Sequence, residues 1–307
     1  MPRLIDDLRA KGARLAKPHF VPPDKEKDWA QMAQELSVLL ARPDLPVLLI
    51  DNVADYYYSS DQEYWDLRDD FPNLAPPYPA FWCESKLATK IHSKQCGDTD
   101  MSAFISNSRI GMLIHGLARD QFKGQDIPDN VKWVLWCELF IDYHQRDCTA
   151  TGPHGSMMLA VDAEGVLVDR PWIQSLSDPR DNDLIRHYIT FLHPAFLAMS
   201  FLHCKNVTII DNQVPKPLAK KYQARTGVRP TVYKTLVIEP LKQVLRTQGR
   251  SGAVGLQKAL HICRGHFRDY REGRGLFGKY HQLVWTPSIV RGTKGEKAPP
   301  REIEVKL

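Results

Sequence analysis

Four runs of strand length follow one another between Ala80 and Pro171: "AFWCESKL", "SRIGMLIHGLA", "VKWVLWCELFIDYH" and "MMLAVDAEGVLVDRP". Each is short, apolar and rich in aromatic or β-branched residues, and polar or glycine-containing stretches separate them. The last contains its own reversal, because Asp162–Gly165 joins two β-rich arms and Gly165 is free to take a positive φ. A meander of four or five antiparallel strands is predicted. The chain then changes period. In "DNDLIRHYITFLHPAFLAMSFLHCKNV", Leu184, Tyr188, Phe191, Ala195, Met199 and Leu202 fall on one helical stripe, with Pro194 as a kink point. Strands in one block and a long helix in the next define an α+β fold, with antiparallel sheets and packed helices.

The first 45 residues read as two amphipathic helices with a Pro-rich break, the second ending before Pro43. "LPVLLIDNV" fits a buried strand or a short helix, and "DYYYSSDQEYWDLRDDF" a half-buried acidic, aromatic helix. At 307 residues, 43% hydrophobic and 25% charged, the chain has the size and balance of a soluble globular protein. Its N-terminus mixes acids into an amphipathic pattern, so no signal peptide is expected. "YITFLHPAFLAMSFLHC" is interrupted by histidine and proline and is expected inside a core, not a membrane. A cytoplasmic location follows as an expectation.

Charge is unevenly distributed. Residues 1–215 hold 21 Lys+Arg against 30 Asp+Glu (21 − 30 = −9), and residues 216–307 hold 20 against 6 (20 − 6 = +14). The predicted division is an acidic N-terminal part, residues 1–213, and a basic C-terminal α/β module, residues 214–307, with a small antiparallel sheet. A basic module of this kind points to a polyanionic partner. Within it, "NQVPKPLAKKYQARTGVRP" reads as an exposed connector, "TVYKTLVIEP" as a strand, and "KALHICRGHFRDY" and "GKYHQLVWTPSIV" as two more.

Cofactor chemistry has little support. The six cysteines contain no CxxC pair and several lie in apolar runs, which suits reduced, packed thiols. His203, Cys204, His261 and Cys263 lack the two-to-four-residue ligand spacing of structural zinc sites, so no metal is assigned. Asp142, His144, Asp147 and Asp169 read as solvated strand-end residues, and His154 as a loop residue. No phosphate-binding glycine loop, GxGxxG or GxSxG occurs.

The densest chemistry lies in "HICRGHFRDYREGRGLFGKYHQLVW", His261 to Trp285, with three histidines, four arginines and a lysine in 25 residues. If the two arms pair so that His266 faces His281, Arg268 falls opposite Lys279 and Arg264 beside Leu283. Like charges across a sheet destabilise it unless an anion sits over them. Two imidazoles beside cations can also perform acid–base chemistry on a phosphodiester. One reading is therefore a metal-independent endoribonuclease, with His266 and His281 exchanging protons and Lys279 stabilising phosphorus. Arg264 and Arg268 then hold phosphate, Tyr270 or Trp285 stacks on a base, and Arg271, Arg274 and Arg291 add contacts. The other is a binding hairpin without chemistry.

"LHICRGHFRDY", "LFGKYHQLVW" and "VRG" (Val290 to Gly292), with "PAFWCES" and "FLHCKNV", resemble segments of uncharacterised phage and prophage proteins across residues 79 to 292. The resemblance implies a phage or mobile-element source and no particular activity. The expected function is nucleic-acid binding, RNA or DNA. The rival is a structural or interaction protein of a phage particle, in which acidic and basic surfaces of a homo-oligomer pair between copies.

Overall fold

The computed structural model describes residues 3–10, 26–59, 66–86, 109–121, 127–142, 153–169, 171–174, 182–238, 261–263, 266–273, 275, 281–286 and 289–291. The chain is α+β. Its frame is one eight-stranded sheet in the order β6-β5-β4-β3-β2-β1-β8-β7. The strands are β1 (Val47–Leu49), β2 (Ala80–Lys86), β3 (Arg109–Ala118), β4 (Trp133–Asp142), β5 (Pro153–Val161), β6 (Trp172–Gln174), β7 (Val207–Asn212) and β8 (Tyr233–Ile238). Strands β2 to β6 form the predicted antiparallel meander. The sheet is nevertheless mixed, since β1 runs parallel to both β2 and β8. The β5 hairpin turns where the sequence placed it, with Gly165 at φ +83°.

Helix α1 (Leu4–Ala10) and α2 (Glu26–Ala41) cover one face of this sheet; α3 (Asp51–Ser59) and α4 (Asn182–Leu202) cover the other. Helix α4 joins strands at opposite edges, β6 and β7, so it must cross the sheet. Twenty-one residues span about 31 Å at 1.5 Å per residue, close to the roughly 34 Å between the outer strands of an eight-stranded sheet. Every residue from 191 to 201 is consequently buried. Leu192, Phe196 and Met199 meet Phe81, Met112 and Leu159 in the larger core. Among the described residues, no helix is long and apolar enough to cross a membrane.

On the second face, α1 and α2 bring Leu4, Ile5, Leu36 and Leu40 against Trp82, Leu113 and Phe140. This face also holds charge. The buried Glu84 carboxylate accepts the N–H groups of Leu4 (2.9 Å) and Ile5 (3.1 Å), the Trp82 Nε1–H (3.0 Å) and the Arg109 Nε–H. Donors that the first turn of α1 would leave unpaired are thereby satisfied. Glu138, two strands away, is also buried. Its Oε1 accepts from Ser156 and Trp136, no cation among the described residues pairs with it, and burial pushes the carboxyl up to about 7.

The division at residue 213 does not coincide with a break in packing. Strand β8, from the basic part, lies between β1 and β7, and Leu236, Leu283 and Trp285 belong to the larger core. The reason is hydrophobic: β1 needs neighbours on both sides, and β8 is one of them. Helix α5 (Lys216–Thr226) replaces the predicted connector. Among the described residues, the C-terminal part also holds two short antiparallel ribbons. One pairs β10 (His266–Asp269) with β11 (Leu283–Thr286), and the other pairs β9 (His261–Cys263) with β12 (Ile289–Arg291).

Candidate nucleic-acid interface

The two arms of the histidine-rich stretch do pair antiparallel, but in another register. His266 lies opposite Thr286, Phe267 opposite Trp285, and Arg268 opposite Val284. His281 instead approaches Arg271, with its Nδ1–H directed at that residue's carbonyl at 3.3 Å. Five residues separate His281 from Thr286, the partner of His266, roughly 16 Å of extended chain at 3.3 Å per residue. One phosphate cannot be reached by both, and the two-histidine mechanism loses its geometry.

Aromatic burial decides this register. Phe267 and Trp285 pack against each other (centroids 4.7 Å apart) and against Phe201 of α4 (5.3 and 5.0 Å), while Tyr56 of α3 meets Trp285 edge-on at 5.4 Å. Asn206 closes the arrangement, donating to the Trp285 carbonyl (2.9 Å) and accepting its N–H (3.1 Å). Trp285 is 5% exposed and therefore a core residue, not a platform for a base. A register offset by an odd number of positions would turn its indole to solvent, because side chains alternate between faces.

The outward face of β10 keeps part of the predicted row. Arg268 Nε–H donates to His266 Nε2 (2.9 Å), and its NH1 donates to the Tyr270 hydroxyl (3.3 Å). Arg271 is engaged elsewhere: it forks onto Asp269 (2.7 and 3.1 Å) and reaches the Glu164 carbonyl, which pins the ribbon to the β5 turn. That ion pair holds the Asp269 carboxyl below its ordinary range. Arg264, Arg274 and Lys279 lie outside the described residues. Arg291 pairs with His261 at the backbone level in β12–β9. Of the zinc reading, His203 donates to the Ala75 carbonyl (2.9 Å) and the Cys204 thiol points to Ser200 O (3.4 Å).

Helix α5 presents the larger cationic surface, and the sequence reading passed over it. Between Asp211 and Glu239 the chain has six Lys or Arg and no Asp or Glu. Lys216, Lys220, Lys221 and Arg225 on α5, and Arg229 just beyond it, are all exposed. Among the described residues none of the five enters an ion pair; Arg225 lies over the Tyr222 ring at 5.7 Å. The helix forms despite two prolines because Pro215 and Pro217 occupy its N-terminal end, where no intrahelical N–H is needed. It ends at Gly227, which adopts φ +75° and returns its N–H to the Gln223 carbonyl (2.8 Å). No acid occupies the first turn, so Lys216 adds to the positive end of the helix dipole.

Beside this helix runs a cleft of about 290 Å³, lined by Arg3 and Asp6 of α1 and by Leu218, Lys221, Tyr222 and Arg225 of α5. Arg3 stacks over Tyr233 at 3.5 Å and donates to the Thr231 carbonyl (3.1 Å). Asp6 accepts both the N–H and the hydroxyl of Thr231 (3.0 and 2.6 Å), so its charge is partly spent inside the protein. The α1 wall of the cleft is mixed in charge, with Arg3 beside Asp6; burial, and after it Asp6 and Asp7, raise the proton affinity of the Tyr222 hydroxyl, so the positive surface is that of α5 itself. The run of six cations without an acid between Asp211 and Glu239 was the available signal; the two prolines masked it by suggesting a loop.

Compared with protein-family models, with curated proteins and with solved structures, the chain matches none of them.

Proposed function

We propose that this chain binds nucleic acid along α5 and the adjoining cleft rim, as a protein of a phage or mobile element. The observation that carries the reading is the cluster of Lys216, Lys220, Lys221, Arg225 and Arg229, five exposed cations in a segment without acids. Lysines and arginines in such a cluster repel one another, and a phosphate backbone supplies the missing counter-charge while releasing condensed cations. The dipole of α5 acts in the same sense at its N-terminus. Arg268 and Tyr270, on the outward face of β10, form a second and smaller contact surface. The phage setting is supported by the sequence resemblance of the C-terminal segment. Cleavage is left out, because the register sets His266 at one end of the ribbon and His281 beyond the other, out of joint reach of one phosphate.

The test compares two charge-altered proteins on labelled RNA and DNA. Lys220→Glu/Lys221→Glu is expected to abolish binding at moderate salt, with folding unchanged because both side chains are exposed. Arg268→Ala weakens binding by no more than one phosphate contact does. Equal binding by wild type and the α5 variant removes the proposal. Binding to anionic lipid vesicles with none to nucleic acid would assign the same surface to a membrane instead.

A further inference from the structure

Strand β7 is the outermost strand on its side of the sheet, paired with β8 alone among the described residues. Four consecutive residues, Thr208 to Asp211, are exposed. Ile209 is 44% exposed and Ile210 42% exposed. Successive side chains of a strand point to opposite faces, so both faces of this edge end in an uncovered isoleucine. Ile209 stands on the α4 side, opposite the buried Leu236, and Ile210 on the α1 side, opposite Thr235.

Edge strands are ordinarily protected by shortness, proline, an inward charge or a bulge. The opposite edge, β6, has three residues. Strand β7 has six, contains no proline, and pairs with β8 without a register shift from Val207↔Ile238 to Asn212↔Tyr233. Every second residue of such a strand turns its N–H and C=O away from the sheet, and these groups match another strand.

We infer that β7 is a dimer interface, in which a second copy of this chain adds its own β7 antiparallel and continues the sheet across a two-fold axis. The strand is self-complementary. An axis through Ile209, normal to the sheet, places Ile209 against its own copy and Thr208 against Ile210, keeping each residue on its own face. All of these are β-branched pairs, which favour cross-strand contact. This inference is independent of nucleic-acid binding, since it uses neither α5 nor the ribbon.

The experiment measures mass in solution by light scattering, in the absence of nucleic acid, for the full chain and two variants. Wild type is expected at twice the 35.1 kDa of one chain. Ile209→Lys, which sets two ammonium groups face to face on the axis, is expected at the mass of one chain with an unchanged circular dichroism spectrum. Ile209→Cys tests the register without depending on that variant's folding. Paired residues on the axis lie within disulfide reach, so mild oxidation should link two copies through residue 209, whereas Lys216→Cys should give no more than the wild-type background. A wild type that stays at one chain mass at every concentration overturns the inference. So does a dimer that survives Ile209→Lys and gives no link at position 209, because its interface then lies elsewhere.

Discussion

Replacing Glu138 by glutamine separates the charge of a buried carboxyl from its shape. The folded protein surrounds this side chain with Leu113, Trp136 and Ser156 on neighbouring strand positions, and among the described residues it meets two hydrogen-bond donors but no cation. Burial therefore lifts its proton affinity from the ordinary 4.5 to about 7. At about 1.4 kcal/mol per tenfold change in affinity, the ionised form is about 3 kcal/mol less welcome in the folded than in the unfolded chain. The sign follows from proton counting. Between about pH 4.5 and pH 7 the unfolded chain has lost this proton and the folded one retains it, so the residue's contribution to stability falls as pH rises through that window and levels off above it. Glutamine at 138 keeps an acceptor for Ser156 and Trp136 and has no proton to lose. Relative to wild type, Glu138→Gln should therefore gain roughly 2–3 kcal/mol of stability between pH 5 and pH 8. Urea unfolding of both proteins at the two pH values measures that difference directly. A difference that stays constant from pH 5 to pH 8 would refute the reasoning, since it would mean that Glu138 ionises in the folded protein as readily as in the unfolded chain.

Three further substitutions probe the frame. Arg109→Met leaves the Glu84 carboxylate buried beside α1 without its cation, and urea unfolding should show a loss of roughly 3–5 kcal/mol; a loss below about 1 kcal/mol would deny the pair its role. Gly165→Ala forces a side chain into φ +83° and puts a methyl group 2.5 Å from the Ala75 nitrogen, so it should lower stability by more than about 1 kcal/mol and reduce the melting temperature. Trp285→Ala empties the space among Phe201, Phe267 and Tyr56, and should cost roughly 3–5 kcal/mol in urea unfolding. Weakened nucleic-acid binding by that variant without any loss of stability would instead restore Trp285 as an exposed stacking residue.

The meander and α4 were legible because their periods are clean and their neighbours in sequence are their neighbours in space. Glycine at 165 marked its turn for the same local reason. The β10–β11 register was not legible. Alternation permits either Phe267 or His266 to face inward in company with Trp285, and the arbiter, Phe201, sits on a helix more than sixty positions earlier in the chain. Strand β2 shows a related loss of signal: from Ala80 to Ser85 every residue is buried, because helices cover both faces of the sheet, so the alternation that distinguishes faces vanishes and Glu84 looks like a surface residue. Helix α5 escaped recognition because none of its residues is buried, leaving no apolar stripe to read, and because Pro215 and Pro217 punctuate its start. The basic segment was visible as charge; its presentation on a helix needed the structure.

The most direct measurement is the salt dependence of nucleic-acid affinity for the wild-type protein. If Lys216, Lys220, Lys221, Arg225 and Arg229 each neutralise one phosphate, the slope of log affinity against log salt should be about −4.5 on duplex and about −3.5 on a single strand. Between 50 and 200 mM salt that amounts to a loss of about 500-fold or about 130-fold, respectively. A steep slope that flattens in Lys220→Gln/Lys221→Gln, by about two phosphate contacts, places the interface on α5. No binding at low salt, or binding whose slope is near zero, contradicts it.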